Sequence, residues 1–71
     1  MTLGQRLAEL RHQKGVTQEQ IAAALGISRI LYSHYERDVA TPPIWRLLQI
    51  ARYHGLSVEQ ILEPVNPEAT R

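Results

Sequence analysis

The 71-residue sequence predicts an all-α fold of five short helices. Three observations lead to this prediction. Serine and threonine residues that can cap a helix precede the candidate helices, apolar residues recur within them every three or four positions, and glycine or proline follows them. Only Val39–Thr41 has any strand propensity, and three residues are too few to build a sheet.

Capping boxes mark the first two helices: in each, a Thr side chain and a Gln three residues later satisfy backbone N–H groups of the first turn. The boxes are Thr2–Gln5 and Thr17–Gln20, and Gly15 and Gly26 mark the helix ends. Ser28 is the expected N-cap of the third helix. The apolar positions of these three helices are Leu3, Leu7 and Leu10; Ile21, Ala22 and Leu25; and Tyr32 and Tyr35.

The fourth and fifth helices follow similar signals. Thr41 precedes Pro42, which fits an N-cap followed by proline at the first helical position, and Gly55 marks the end. Ser57–Gln60 is a third capping box, and Pro64 ends the fifth helix. The apolar stripes are Ile44, Leu47, Leu48 and Ala51, then Val58, Ile61 and Leu62. We expect one domain over residues 1–63 and a disordered tail over residues 64–71.

The second and third helices are joined by a very short connection, Gly26–Ile27. Two helices joined in this way must cross at a large angle, about 90–120°. Ala22 is small where the helices approach each other, and Gly26 occupies a turn position that needs a left-handed backbone, where a β-carbon would cost about 1 kcal/mol. We therefore expect Ala22, Gly26, Tyr32 and Tyr35 to set the shape of a helix-turn-helix unit over Gln18–Tyr35.

Charge is distributed unevenly along the chain, although the net charge is only +1. Residues 1–54 carry seven Lys or Arg and four acidic residues, a net charge of +3, while residues 55–71 carry one Arg and three Glu, a net charge of −2. This asymmetry fits a basic face for a polyanion with an acidic end turned away from it. It fits a mixed solvated surface equally well.

Several classes of function are disfavoured. The chain has no Cys, which excludes a disulfide framework, a thiolate zinc site and a cysteine nucleophile, and which suits a reducing cytoplasm. It has neither the ~18 apolar residues of a membrane span nor a secretory signal. His12, His34 and His54 lack metal-ligand spacing, and no acidic residue is placed to orient a catalytic histidine. We expect a cytoplasmic protein that is not an enzyme and has no cofactor, metal, membrane or small-molecule partner.

Six motifs carry a family resemblance: LAELRHQKG (7–15), TQEQIAAA (17–24), LGIS (25–28), YER (35–37), PPIWRLLQIA (42–51) and GLSVEQIL (55–62). On these motifs the sequence resembles the phage repressor and Cro type (XRE-like) of helix-turn-helix domain, without a gap over residues 3–62. The resemblance implies a lambda-repressor-like five-helix domain whose third helix enters the major groove, usually as a dimer. It implies a sequence-specific transcriptional regulator that binds double-stranded DNA, in its simplest form a homodimeric repressor on a palindromic operator.

The sequence departs from the family at three places. Asp38 stands where glycine is usual, and aspartate tolerates a left-handed backbone better than most residues. Tyr32 and Tyr35 replace smaller aliphatic residues. Ile30 and Leu31 are apolar where relatives carry polar residues. We expect Leu31 to turn towards the core and Ile30 to stay exposed, either against thymine methyl groups or as a protein-protein surface.

The resemblance implies that the positions of Gln18, Arg29, Ile30 and His34 read bases, and Ser33 projects from the same face. The planar fork of Arg29 suits guanine O6 and N7, although a phosphate contact or simple exposure is the alternative. Phosphate contacts are expected where free N–H groups and the helix dipole attract an anion. The candidates are Thr17, Gln18, Arg37 and Thr41.

Other positions are expected to be structural or to join two copies. In relatives, the places of Arg11 and Glu36 hold an ion pair that links the first helix to the end of the third, so we interpret this pair as structural. Trp45 lies off the fourth apolar stripe and could pack at a dimer seam, touch the DNA backbone or cover the Val39–Thr41 loop. The dimer candidates are Trp45, Ile50, Tyr53, Val58 and Ile61.

The alternative function is a protein-interaction module of the same shape, such as an antitoxin or an adaptor. The low net charge and the Ile30–Leu31 pair favour it. Salt dependence separates the two functions, because a protein that neutralises phosphates releases counterions and loses affinity steeply as salt rises.

Overall fold

The structure is a computed structural model that describes residues 1–66. These residues form five α-helices. They are α1 (Leu3–Lys14), α2 (Gln18–Leu25), α3 (Arg29–Glu36), α4 (Ile44–His54) and α5 (Val58–Leu62). The predicted all-α fold class is confirmed, and the capping boxes at Thr2, Thr17 and Ser57 all form. Ser28 caps α3 by accepting a hydrogen bond from the N–H of Leu31. Each cap gives a partner to N–H groups that the first turn of a helix otherwise leaves without one.

The start of α4 differs from the prediction. Thr41 does not cap this helix: Pro43 is the N-cap residue, and no side chain caps the helix. The second proline explains the difference. The ring of a proline disfavours a helical backbone at the residue before it, so Pro43 keeps Pro42 outside the helix.

The five largest fully buried side chains come one from each helix: Leu7, Ile21, Tyr32, Ile50 and Ile61. In the described part of the chain, α1 packs against α3 and α5, and α4 packs against α2 and α5. The remaining close pair, α2 and α3, forms the helix-turn-helix. All five helices therefore share one small core, and no helix can be removed without opening it.

A different face of α4 from the one predicted turns to the core. Leu47 and Ala51 are buried as expected, but their buried neighbour is Ile50. Ile44 and Leu48 are 65% and 44% exposed. A stripe through positions 47, 50 and 51 is as regular as one through 44, 47, 48 and 51, so the apolar spacing does not choose between them. With Trp45, which is 60% exposed, Ile44 and Leu48 form an apolar surface that we call the α4 patch.

The first turn of α1 lies against the end of α3. The N–H of Gly4 donates to Oδ1 of Asp38 at 2.9 Å, and Asp38 has the left-handed backbone that its position required, with φ 58°. A β-carbon on Gly4 would lie 2.7 Å from the carbonyl oxygen of Tyr35 and 2.8 Å from Oδ2 of Asp38. Glycine is therefore needed at position 4 because two helices approach closely there.

Two sets of hydrogen bonds join the ends of the domain. Arg6 donates from Nε and Nη2 to the carbonyl oxygens of Ile61 and Gln60, at 3.0 and 2.9 Å. The N–H of Asn66 donates to the carbonyl oxygen of Met1 at 2.9 Å, so this part of the predicted tail is held against the domain. Residues 67–71 of that tail lie outside the described residues. Across residues 1–66, no helix combines the length and the apolar character that a membrane crossing requires.

Candidate nucleic-acid interface

The predicted helix-turn-helix unit is formed by α2, the turn after it, and α3. Gly26 ends α2 with φ 73°, and its N–H donates to the carbonyl oxygens of Ala22 and Ala23. The N–H of Ile27 also donates to Ala22, at 3.0 Å. Ala22 is almost fully buried, as its small size between two helices predicted. Ala22 thus has the burial, and Gly26 the left-handed backbone, that the short connection between the helices predicted.

The two faces of α3 differ sharply. Tyr32 and Tyr35 are buried, and Leu31 packs against the core as predicted. On the opposite side Arg29 is exposed and Ile30 is 61% exposed. Ser33 and His34, also expected on the DNA-reading face, are half-buried. The outward face of α3 therefore presents a guanidinium and a branched apolar side chain near the start of the helix.

The predicted ion pair between Arg11 and Glu36 is confirmed. Nε and Nη2 of Arg11 lie 2.7 and 3.2 Å from the two carboxylate oxygens, and the two side chains are only 13% and 6% exposed. Nη1 of Arg11 also donates to the carbonyl oxygen of Val16. The pair ties α1 to the last residue of α3, which fixes the far end of the helix that would read DNA.

Three neighbours shape the ionisation of this pair. Burial acts to raise the pKa of Glu36, but the hydrogen bonds from Arg11 and Gln18, with the nearby hydroxyl of Tyr32 and the charge of Arg11, outweigh it and lower the pKa below its ordinary value. The hydrogen bond to Glu36 is the main reason that the pKa of Arg11 is raised. Burial, followed by the adjacent carboxylate, raises the pKa of Tyr32. The cluster therefore holds one negative and one positive charge, with a neutral tyrosine, over the ordinary pH range.

Gln18 is not a free side chain. Its Nε2 donates to Oε1 of Glu36 at 3.0 Å, so the amide is held by the ion pair. The hydroxyl of Thr17 likewise accepts the N–H of Gln20. Both residues were expected to contact DNA. They keep an accessible position at the start of α2, but each is oriented by a bond inside the domain.

An open concavity of about 620 Å³ lies beside the start of α2. Its lining brings together Thr17, Gln18 and Arg29, three of the predicted DNA contacts, and adds His12. The N–H of Gln20 is taken by the Thr17 cap, but the N–H groups of Gln18 and Glu19 have no partner within the helix and, with the helix dipole, favour an anion here. The N–H groups of α2 and the Arg29 guanidinium thus meet at one surface.

Arg37 and Thr41 lie elsewhere. Arg37 ends α3 and is exposed. Thr41 borders a smaller cavity of about 150 Å³ that is closed by Leu62 and Val65. The structure therefore does not place Thr41 in the concavity that holds Thr17. Among residues 1–66, no cluster of His, Asp and Glu could hold a metal ion.

The predicted dimer candidates separate into two groups. Ile50 and Ile61 are 0% exposed, so they fill the core and offer no surface to a second copy. Their assignment to a dimer contact is wrong, because apolar spacing does not distinguish a core face from an interface. Trp45 is exposed, and Tyr53 and Val58 are half-buried. Lys14 places its Nζ 4.9 Å from the centre of the Tyr53 ring, which covers part of that side chain.

Sequence reasoning missed the contacts that α4 makes with the turn of the helix-turn-helix. Nη1 of Arg46 and Nε2 of Gln49 both donate to the carbonyl oxygen of Leu25, at 3.2 and 3.1 Å. The available signal was a pair of long polar side chains three residues apart, which places them on one face of a helix. That signal is common on exposed helix faces and does not by itself identify a partner.

Comparison with known proteins gives matches along nearly the whole chain. The helix-turn-helix domain family matches residues 2–63. YobD, an uncharacterized HTH-type transcriptional regulator of Bacillus subtilis (strain 168), is 40% identical over 58 residues, 82% of this chain and 52% of that protein. The immunity repressor protein of Bacillus phage phi105 is 34% identical over 62 residues, 87% of this chain and 43% of that protein. The chain thus spans about half the length of these relatives.

Solved structures agree with the sequence matches. A chain of the SinR protein/SinI protein complex superposes with a TM-score of 0.78 and 27% sequence identity, covering 96% of this chain and 71% of that chain. The fold, the geometry of α2 and α3 and the family match all lead to the same conclusion. This chain belongs to the helix-turn-helix domain family, whose members include transcriptional regulators and phage repressors.

Proposed function

We propose that this chain is a sequence-specific, double-stranded DNA-binding transcriptional regulator that acts in the cytoplasm as a homodimeric repressor on a palindromic operator. The observation that carries the proposal is the position of Arg29. It projects from the outward face of α3 and lines the same concavity as the start of α2. Base-reading and phosphate-binding groups therefore share one surface, as a helix-turn-helix on DNA requires.

Each side chain has a defined part in this proposal. Arg29 pairs with guanine, and Ile30 contacts thymine methyl groups, while Ser33 and His34 face the groove further along α3. Gln18 presents its amide oxygen and the Nε2 hydrogen that is not donated to Glu36. Thr17 and the first N–H groups of α2 hold a phosphate, and Arg37 is a second phosphate contact. Thr41 borders a different cavity, so a phosphate bound by it would lie outside the concavity at the start of α2.

A homodimer would use surface that remains exposed in the monomer. Trp45 is exposed and meets this condition, and the half-buried Tyr53 and Val58 meet it in part. Dimer formation predicts a palindromic site whose half-sites are about 34–36 Å apart, which is one turn of DNA. A footprint over a single half-site would contradict this part of the proposal.

The test is selection of bound sequences from random duplex DNA, followed by binding of the selected duplex to Arg29→Ala. We expect this variant to lose about 1–3 kcal/mol of discrimination at one base position while it remains folded. Arg52→Ala is the matched control, because Arg52 is an exposed arginine on α4, outside the concavity. Unchanged selectivity of Arg29→Ala would refute its base-reading role.

A protein-interaction module is the second candidate function. Exposed Ile30 and the α4 patch favour it, because contiguous apolar surface often marks a contact with another protein. Titration at several salt concentrations distinguishes the candidates. A DNA-binding protein shows a logarithmic salt slope of about −0.9 for each phosphate it neutralises. A pure adaptor shows no duplex binding at moderate salt.

A further inference from the structure

We propose that Arg46 and Gln49 are positioning residues for α3, and that they act by holding the last carbonyl group of α2. They bond neither to α3 nor to any group expected to touch DNA. Their common acceptor is the carbonyl oxygen of Leu25, which stands immediately before the turn that leads into α3. The inference rests on the proposed function, because it concerns how α3 is aimed at a DNA groove.

The Leu25 carbonyl needs a partner from outside its own helix. The last four carbonyl groups of an α-helix receive no hydrogen bond from an N–H group of the same helix. In α2, the N–H groups of Gly26 and Ile27 serve the carbonyls of Ala22 and Ala23. The donors to Leu25 come from α4, 21 and 24 residues later in the chain.

The two donors form one unit on a single face of α4. Nη1 of Arg46 donates to Oε1 of Gln49 as well as to Leu25, so each side chain orients the other. A positive charge at the C-terminal end of α2 is also favoured by the dipole of that helix. We call this arrangement the α4 clamp, comprising Arg46, Gln49 and the carbonyl of Leu25.

Trp45 supports the clamp from its exposed side. The centre of its ring lies 4.5 Å from Cζ of Arg46, which is a cation–π arrangement. Nε of Arg46 is buried and has no hydrogen-bond partner among residues 1–66. Contact with the ring therefore limits the positions that the guanidinium can adopt. This gives a role to a tryptophan that the apolar pattern of α4 left unexplained.

The consequence for DNA binding follows from the order of the elements. Only three residues, Gly26–Ser28, separate the clamped carbonyl of Leu25 from Arg29, the first residue of α3. Movement of the end of α2 changes the direction in which Arg29 and Ile30 leave the domain. Tyr32 and Tyr35 still pack in the core, so loss of the clamp leaves α3 folded but its orientation less restricted.

The test is a double-mutant cycle with Arg46→Met and Trp45→Leu, measured with the duplex that the intact chain selects. Methionine keeps much of the length of arginine and removes every donor. We expect Arg46→Met to weaken duplex binding about two- to tenfold. Trp45→Leu should weaken it in the intact chain and have no further effect in Arg46→Met. Arg52→Met, on the same helix but outside the clamp, is the matched control and should bind as the intact chain does.

Each other outcome refutes a specific statement. If Arg46→Met unfolds at lower urea concentration but binds the duplex with unchanged affinity, the clamp is only a stabilising contact. If Trp45→Leu weakens binding equally with Arg46 present or absent, Trp45 contacts DNA or a second copy directly. If the intact chain selects no duplex, the proposed function fails and the positioning role fails with it. If the intact chain binds and Arg46→Met binds equally well, only the positioning role fails.

A readout that does not depend on DNA accompanies the cycle. The chain has one Trp, so its fluorescence reports the surroundings of Trp45 alone. Arg46→Met should change the emission of the folded protein, and Arg46→Lys, which keeps the charge and one donor group, should recover part of both the emission and the affinity. Emission unchanged by Arg46→Met would contradict the stacking of Trp45 on the guanidinium.

Discussion

Replacing Gly4 with alanine should destabilise the domain, although alanine is the better helix former. Alanine in the middle of a helix gains about 0.5–1 kcal/mol over glycine, and this is the upper limit of the gain at Gly4, in the first turn of α1. Here its β-carbon would lie 2.8 Å from Oδ2 of Asp38 and 2.7 Å from the carbonyl oxygen of Tyr35, where ordinary contact begins at 3.4 Å. The carbonyl oxygen of Glu36 is also in the way. Two of the three obstructing atoms are backbone, so α1 must move away from the end of α3.

The size of the effect can be worked from these contacts. Overpacking a tight site costs about 1–3 kcal/mol. Moving α1 also strains the hydrogen bond from the Gly4 N–H to the Asp38 carboxylate, and such charged bonds contribute about 1.5–3 kcal/mol. The hydrogen bond is strained and not lost, so we take the low end of each cost; after the gain in helix propensity is subtracted, we expect a net loss of about 2 kcal/mol. For a domain of this size, that lowers Tm by about 8–16 °C.

Urea unfolding followed by far-ultraviolet circular dichroism measures this loss directly. Gly15→Ala is the control, because no atom lies within 4 Å of a β-carbon there and only its left-handed backbone, φ 75°, opposes alanine. That control should lose about 1 kcal/mol. If Gly4→Ala proves as stable as the unaltered chain, α1 does not approach the end of α3 as closely as described, and the reasoning is refuted.

Three further predictions concern the interior. Glu36→Leu should lower the free energy of unfolding in urea by about 3 kcal/mol, because it leaves the partly buried charge of Arg11 without a partner. Adding Arg11→Met should recover part of this loss, and equal stability of the single and double variants would contradict the prediction. Since the pKa of Glu36 is lowered on folding, its stabilising contribution is present above pH 4.5 and should fade as the pH drops further, so Glu36→Leu should have a flatter acid profile. Burial, with the charges of Lys14 and Arg6, lowers the pKa of His54 in the folded protein. As the pH drops below 6.5, His54 is therefore protonated in the unfolded chain before it is protonated in the folded one, and stability should fall. His54→Phe should remove that part of the profile, and a profile unchanged by this substitution would exclude His54 as its source.

Features of the fold that depend only on residues close together in the sequence could be predicted. The capping boxes at Thr2, Thr17 and Ser57 and the left-handed turn at Gly26 form as expected, because each needs only residues within one turn. The Arg11–Glu36 pair was also predicted, but by resemblance to a family and not by spacing, since 25 residues separate its partners.

What the sequence could not predict depends on contacts across the domain. The rotation of α4, which buries Ile50 and exposes Ile44, is chosen by the helices around it and not by its own apolar spacing. The close approach at Gly4 and the binding of Gln18 by Glu36 need the relative positions of α1, α2 and α3. At Pro42 the error was local: a favourable signal for a helix start was considered without the effect of the proline that follows it.

The hydrogen bond between Asn66 and Met1 brings together the two ends of the described part of the chain, residues 1–66. Such proximity of distant chain positions is what allows circular permutation of a domain. A short linker between residues 66 and 1, with new ends opened in the exposed segment between α3 and α4, should preserve all five helices. The order in which helices are made by the ribosome would change, while their arrangement around the core would not.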